Sequence, residues 1–195
     1  RPPFRGGRLL LGLSAFSAFR TIFARMIAPW LALLPLIVFL LLAAGWDVAS
    51  YTIPNFIQIG LILAFAAFAL ATGISPGIAG NHVLAGLAGL AAGFTLFALG
   101  YIGGGDAKLF ASIALWLGFG DLPAYALIAC ILGGGLSLLL LTARKFPLPH
   151  AFARYQWVLR LHDSKSGVPY GVALAAGLFL ILPQTEVFRL AASHV

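Results

Sequence analysis

The chain has 195 residues, 62% of them hydrophobic and only 9% charged, with a net charge of +7 and a mean hydropathy of +1.03. A soluble domain carries about a quarter charged residues, so these values exclude one. Apolar runs near 20 residues, without strand-like alternation, mark an all-α polytopic membrane helix bundle rather than a β-barrel. The basic excess is read as setting topology and touching anionic lipid headgroups, with no nucleic-acid partner.

Residues 1–25 hold five of the twelve basic residues and no acid. The single methionine, Met26, opens MIAPWLALLPLIVFLLLAAGW, which reads as a first membrane helix with its own start. Residues 1–25 are therefore expected to be a basic extension outside the native core, or an arginine-rich segment lying on the membrane. Residues 26–195 then form one transmembrane domain. The apolar pattern predicts about six spans, near 28–46, 56–72, 81–101, 106–118, 123–142 and 168–183. SYTIPN (50–55), GISPGIAG (73–80) and the Gly120-Asp121-Pro123 region read as turns. Residues 143–167 form a basic loop, and the tail QTEVFRLAASHV is mildly amphipathic.

Six spans gather the loops 47–55, 102–108 and 143–167 on one side, with Lys108, Arg144, Lys145, Arg154, Arg160 and Lys165. The opposite loops carry no basic residue, so the first side is expected to be cytoplasmic. Tyr155 and Trp157, with Trp30, Trp46 and Trp116 at span ends, read as interfacial anchors. Cys130 is alone, forms no internal disulfide, and reads as a small buried hydrophobe. His82, His150, His162 and His194 lack metal-ligand spacing, so neither a metal nor a cofactor is expected.

Five residues are acidic. Asp121, Asp163 and Glu186 lie in loops or the tail and read as solvated surface. Asp47 and Asp106 each end a predicted span on the same membrane face, where an ionisable group is a functional candidate. The competing reading of each is an interfacial carboxylate that ends a helix. Together they suit aspartic proteolysis, in which paired carboxylates share a proton, one activating water and the other polarising the carbonyl. Gly103, Gly104 and Gly105 would let a substrate backbone approach Asp106 and would permit the φ values a tight turn needs. Asp106 would open the next helix, where the dipole favours an anion. Lys108 reads as a snorkelling cation. Pro54 suits a helix's first turn, and Asn55 could bond backbone groups there.

Asp47, then Ile53-Pro54-Asn55, then Gly103-Gly104-Gly105-Asp106-Ala107-Lys108, then Pro169-Tyr170-Gly171 at the head of the last span resemble the type IV prepilin peptidases, most closely the short form of tight-adherence (Flp-type) pilus systems. The resemblance covers residues 28–183. It implies a bacterial inner-membrane aspartic endopeptidase. Such an enzyme removes the short basic leader of pilin-like precursors at the cytoplasmic face, cutting after a glycine and just before an apolar helix. It implies Asp47 and Asp106 as the catalytic pair, the glycines and Lys108 as motif neighbours, and the pilus assembly machinery as a possible partner. Two features depart from the wider family. VASYT, between Asp47 and the proline motif, is uncharged, which bears on substrate contacts. There is no cysteine tetrad, so cleavage without methylation and without zinc is expected.

Three alternatives stand beside this one. A presenilin-like protease lacks support, because no YD pair or PAL motif is present. An archaeal preflagellin-type peptidase shares the design. A non-catalytic scaffold or small transporter would use the glycines, among them Gly133-Gly134-Gly135, for close helix packing.

Overall fold

The computed structural model describes residues 27–149, 152, 154–164 and 166–193. The expected basic extension lies outside them. Residues 27–32 are helical and lead through Leu33 into α1 (Leu34–Ser50). There follow α2 (Asn55–Thr72), α3 (Pro76–Ala98), α4 (Gly104–Ala143), the short α5 (Gln156–His162), α6 (Tyr170–Ile181), a 3-10 turn (Leu182–Gln184) and α7 (Glu186–Ser193). The architecture is all-helical, with no strand among the described residues.

By length and apolarity three described helices could cross a membrane, α2, α3 and α4, and a fourth if α6 and α7, bent by 50°, count as one. The expectation of about six spans is not confirmed. The two differences lie in α1, which stops at 17 residues, and in α4, where the expected fourth and fifth spans join in one 40-residue run. That run is not a straight rod. Gly118 inside it has φ 64° and ψ 178°, a conformation open essentially to glycine alone. Arg144, just past the end of α4, donates to the Gly167 carbonyl at 2.8 Å, and Gly103, just before its start, lines one cavity with Gly167. A straight 40-residue helix would hold those ends ~60 Å apart, so the chain folds back at Gly118.

The break falls ahead of the turn expected at Gly120-Asp121-Pro123, because α3 supplies partners there. A continuous helix would bond the Phe119 N–H to the Leu115 carbonyl. Instead the Phe119 N–H donates to Asn81 Oδ1 at 3.4 Å, and His82 Nδ1 donates to the Leu115 carbonyl at 2.9 Å. Two neighbouring side chains thus take the two halves of the lost bond, as backbone groups away from water in a membrane require. Since a carbonyl only accepts, Nδ1 of His82 carries the proton. His82 is fully buried.

Small residues bring α3 and the first half of α4 together. A methyl placed on Gly86 would sit 3.0 Å from Leu115 Cβ, one on Gly89 2.7 Å from Ala114 Cβ, and one on Gly93 3.0 Å from the Ala107 carbonyl. This is small-residue packing between membrane helices. Of the Gly133–Gly135 triplet only Gly133 is used this way, against the Tyr170 ring at 3.2 Å, whereas Gly134 and Gly135 face open space.

The core joins α1, α2, α4 and α6 through residues such as Leu36, Leu61, Ile113, Trp116 and Leu178. Trp116, expected at an interface, is buried there, with its indole N–H donating to the Leu61 carbonyl at 3.0 Å. Trp30, Trp46, Tyr155 and Trp157 are exposed. Cys130, expected to be buried, is exposed. α3 begins at Pro76 rather than near 81. Gly73 closes α2 in the left-handed conformation, and Ser75-Pro76 supplies a helix cap and a proline in the first turn. Asp121, expected to be merely solvated, accepts from the Glu186 N–H at 2.7 Å and caps α7.

Candidate active site

On α1 the residues Leu36, Leu40, Ala43 and Asp47 recur at helical spacing and are all buried. Asp47 continues the core-facing stripe of its helix, and because the exposed faces are equally apolar (Leu34, Val38 and Leu41), helical register and packing rather than an amphipathic pattern turn the carboxylate inward. It is only 4% exposed. Its backbone carbonyl accepts from the Tyr51 N–H at 2.8 Å, and Tyr51, with φ 54°, is the left-handed residue that ends the helix. The chain then extends through Ile53 and Pro54 and starts α2 at Asn55.

Asp106 lies in the first turn of α4. Its Oδ2 accepts from the Gly103 N–H at 3.3 Å, which closes that turn. Asp47 Oδ2 accepts from the Gly171 N–H at 2.7 Å, across 124 residues. Each carboxylate therefore has one oxygen held by a backbone N–H, while its Oδ1 has no hydrogen-bond partner among the described residues. Both aspartates line the same two adjoining cavities. One, about 280 Å³, is walled by Ile53, the three glycines 103–105 and Lys108. The other, about 470 Å³, is walled by Tyr51, Gly103, Gly167 and Tyr170.

Glycine is required at this site for close approach rather than for φ. None of Gly103, Gly104 and Gly105 has a positive φ, and the left-handed residue in this stretch is Gly100. A methyl on Gly105 would stand 3.2 Å from Ile53 Cβ and 3.3 Å from its backbone nitrogen, and one on Gly104 3.4 Å from the Phe97 ring. On the far side, a methyl on Gly171 would stand 2.9 Å from Asp47 Oδ2 and 3.1 Å from the Ile53 side chain. Buried Ile53 is thus wedged between two motif glycines. Pro169 precedes α6 and Tyr170 starts it, with the Tyr170 hydroxyl 3.2 Å from Ser137 Oγ.

Two expectations change here. Asn55 does not bond the backbone of its own turn. Its Oδ1 accepts from Lys108 Nζ at 2.9 Å, so Lys108 bridges two motifs rather than only snorkelling outward. The arginines of the basic loop, read as topology signals, also hold the site together. Arg160 donates to the Ala49 carbonyl at 2.9 Å, and Arg144 donates to the Leu161 and Gly167 carbonyls, each at 2.8 Å. Burial pushes the Tyr51 hydroxyl up, against the lowering effect of Arg144, so it stays neutral near pH 7. Nothing in the local sequence marks these arginines as part of the site, because their partners are backbone carbonyls from distant segments.

Comparisons with curated proteins and with solved structures return no significant match. The sequence profile of the type IV leader peptidase family matches residues 34–138. That segment runs from the start of α1 through most of α4 and contains Asp47, the Ile53-Pro54-Asn55 turn and the glycine-aspartate stretch. The Gly171 that holds Asp47 lies beyond it. More than half of the chain is matched, and the chain belongs to the type IV leader peptidase family.

Proposed function

We propose that the chain is an aspartic endopeptidase of the bacterial inner membrane that removes the short basic leader from pilin-like precursors at the cytoplasmic face, without methylating the new N-terminus. The observation that carries this reading is the convergence of Asp47 and Asp106 on shared cavities, each with one oxygen fixed by a backbone N–H. Membership in a leader peptidase family supplies the proteolytic class.

Two carboxylates facing one small cavity share a proton more readily than both ionise. The ionised one takes a proton from a water molecule, whose oxygen attacks the scissile carbonyl carbon. The protonated one hydrogen-bonds the carbonyl oxygen as negative charge develops there. When the tetrahedral intermediate collapses, the C–N bond breaks and a carboxyl proton passes to the leaving amine. Gly171 and Gly103 hold the carboxylates in place, and Lys108, fixed by Asn55, adds positive charge at the cavity wall. Which aspartate begins ionised belongs to the pair as a unit.

The test is co-expression with pilin-like precursors, following leader removal by gel shift and mass. Asp47→Asn and Asp106→Asn should each lower cleavage at least about a hundredfold, the scale of a lost acid or base, at normal membrane abundance. The mature product should be unmethylated. Cleavage that survives either substitution would sink the dyad.

A further inference from the structure

A groove of about 600 Å³ opens between α2 and α3. These consecutive helices make little contact with each other and lean separately on α4. Three helices line the groove with the same repeat. α2 contributes Asn55, Gln58, Ile59 and Ile62, spaced i, i+3, i+4, i+7. α3 contributes Val83, Gly86, Leu87 and Leu90 with that spacing, and the floor, Lys108, Ala111, Ser112 and Leu115 of α4, repeats it again. Each helix thus presents two turns of one face to a common trough, which leaves a vacant fourth position of the kind that a helix fills in a bundle. The apolar side chains on the walls are unpartnered, with Leu87 57% and Ile59 56% exposed.

Two observations identify the occupant. The groove adjoins the aspartate cavity at Lys108, which lines both spaces and is held by Asn55 of the groove. Its polarity is also graded. The polar residues Asn55, Gln58 and Lys108 lie at the aspartate end, Ser112 follows one turn in with its hydroxyl donating to the Lys108 carbonyl at 3.0 Å, and Ile62, Val83 and Leu115 lie deeper. A polypeptide leaving the aspartates would meet polar groups at the cut and apolar walls beyond it.

We infer that this groove seats the apolar helix of the precursor, with the scissile bond delivered past Lys108 to the aspartates. The inference rests on the proteolytic reading above. Small residues in the lining, Gly86 on the α3 wall and Ala111 on the floor, suit the close approach of a helix.

The test places a photo-crosslinking amino acid at Ile62 or Leu87 of the full chain, with Leu138, exposed on the second half of α4, as the lipid-facing control. The probe is a precursor with a basic leader, a glycine at the cut and an apolar helix of about 20 residues. Adducts between precursor and chain should form from both groove positions and be several-fold weaker from Leu138. Adducts from the groove with lipid or a second copy alone, or equal precursor adducts from Leu138, would overturn the inference. Crosslinking is read without cleavage. A wild-type chain that cleaves nothing counts against the proteolytic reading, while the adduct pattern still decides the groove.

Discussion

Asp47 and Gly171 show how a single atom's absence shapes the site. The 2.7 Å bond from the Gly171 N–H exists because no side chain separates the start of α6 from α1. Gly171→Ala would place a methyl 2.9 Å from Asp47 Oδ2 and 3.1 Å from Asp47 Cβ, and the carboxylate must move. Misplacement of a reacting group by about 1 Å costs on the order of a hundredfold. The expected outcome is a fall of at least about tenfold in precursor cleavage with unchanged membrane abundance. Gly134→Ala, which meets nothing within 4 Å, should leave both unchanged. Asp47, Asp106 and the motif glycines were legible at this scale, as an unusual grouping in an apolar chain. The Gly171 bond was not, since it joins residues that only the fold brings together.

At the scale of elements the informative feature is the reversal of α4. Apolar periodicity located helical material on both sides of residue 120, and Gly, Asp and Pro suggested a turn after Gly118. The chain instead breaks at Gly118, where Asn81 and His82 accept and donate the freed hydrogen bonds. Gly118→Ala should destabilise the protein by about 1–3 kcal/mol, the cost of a glycine-only conformation, aggravated by contacts at 3.3 Å with His82 and 3.4 Å with Asn81. Gly120→Ala, with no neighbour within 4 Å, should be neutral or slightly stabilising, because alanine suits a helix better. Thermal denaturation of the detergent-purified protein separates the two. Equal stability losses would show that the break is not what makes Gly118 special.

At the scale of the whole molecule, the loops that carry the basic residues close over the same end as the aspartates. α2 runs from that end, and its 18 residues place the Gly73 turn ~27 Å away. The positive-inside rule then predicts sidedness. In a Cys130-free background, Lys145→Cys should react with a membrane-impermeant maleimide only from the cytoplasmic side, and Gly77→Cys only from the opposite side. The reverse pattern would turn the aspartates outward and would overturn the cytoplasmic assignment. Arg144 and Arg160 belong to this scale as well. Their charge favours one side, while their hydrogen bonds tie the loop to the end of α1 and to the segment before α6.

Composition alone determined that this is a membrane helix bundle, because transfer of apolar side chains from water is a property of each local stretch and sums along the chain. Residue identity alone also singled out two aspartates and their glycines, since charge is costly in such surroundings. The number and joining of the helices were decided by tertiary structure. A break such as that at Gly118 is stable only where another helix supplies hydrogen-bond partners. The bonds that orient Asp47, Lys108 and the arginines of the basic loop were decided there too, because each joins segments far apart in the chain and forms only once the helices have packed.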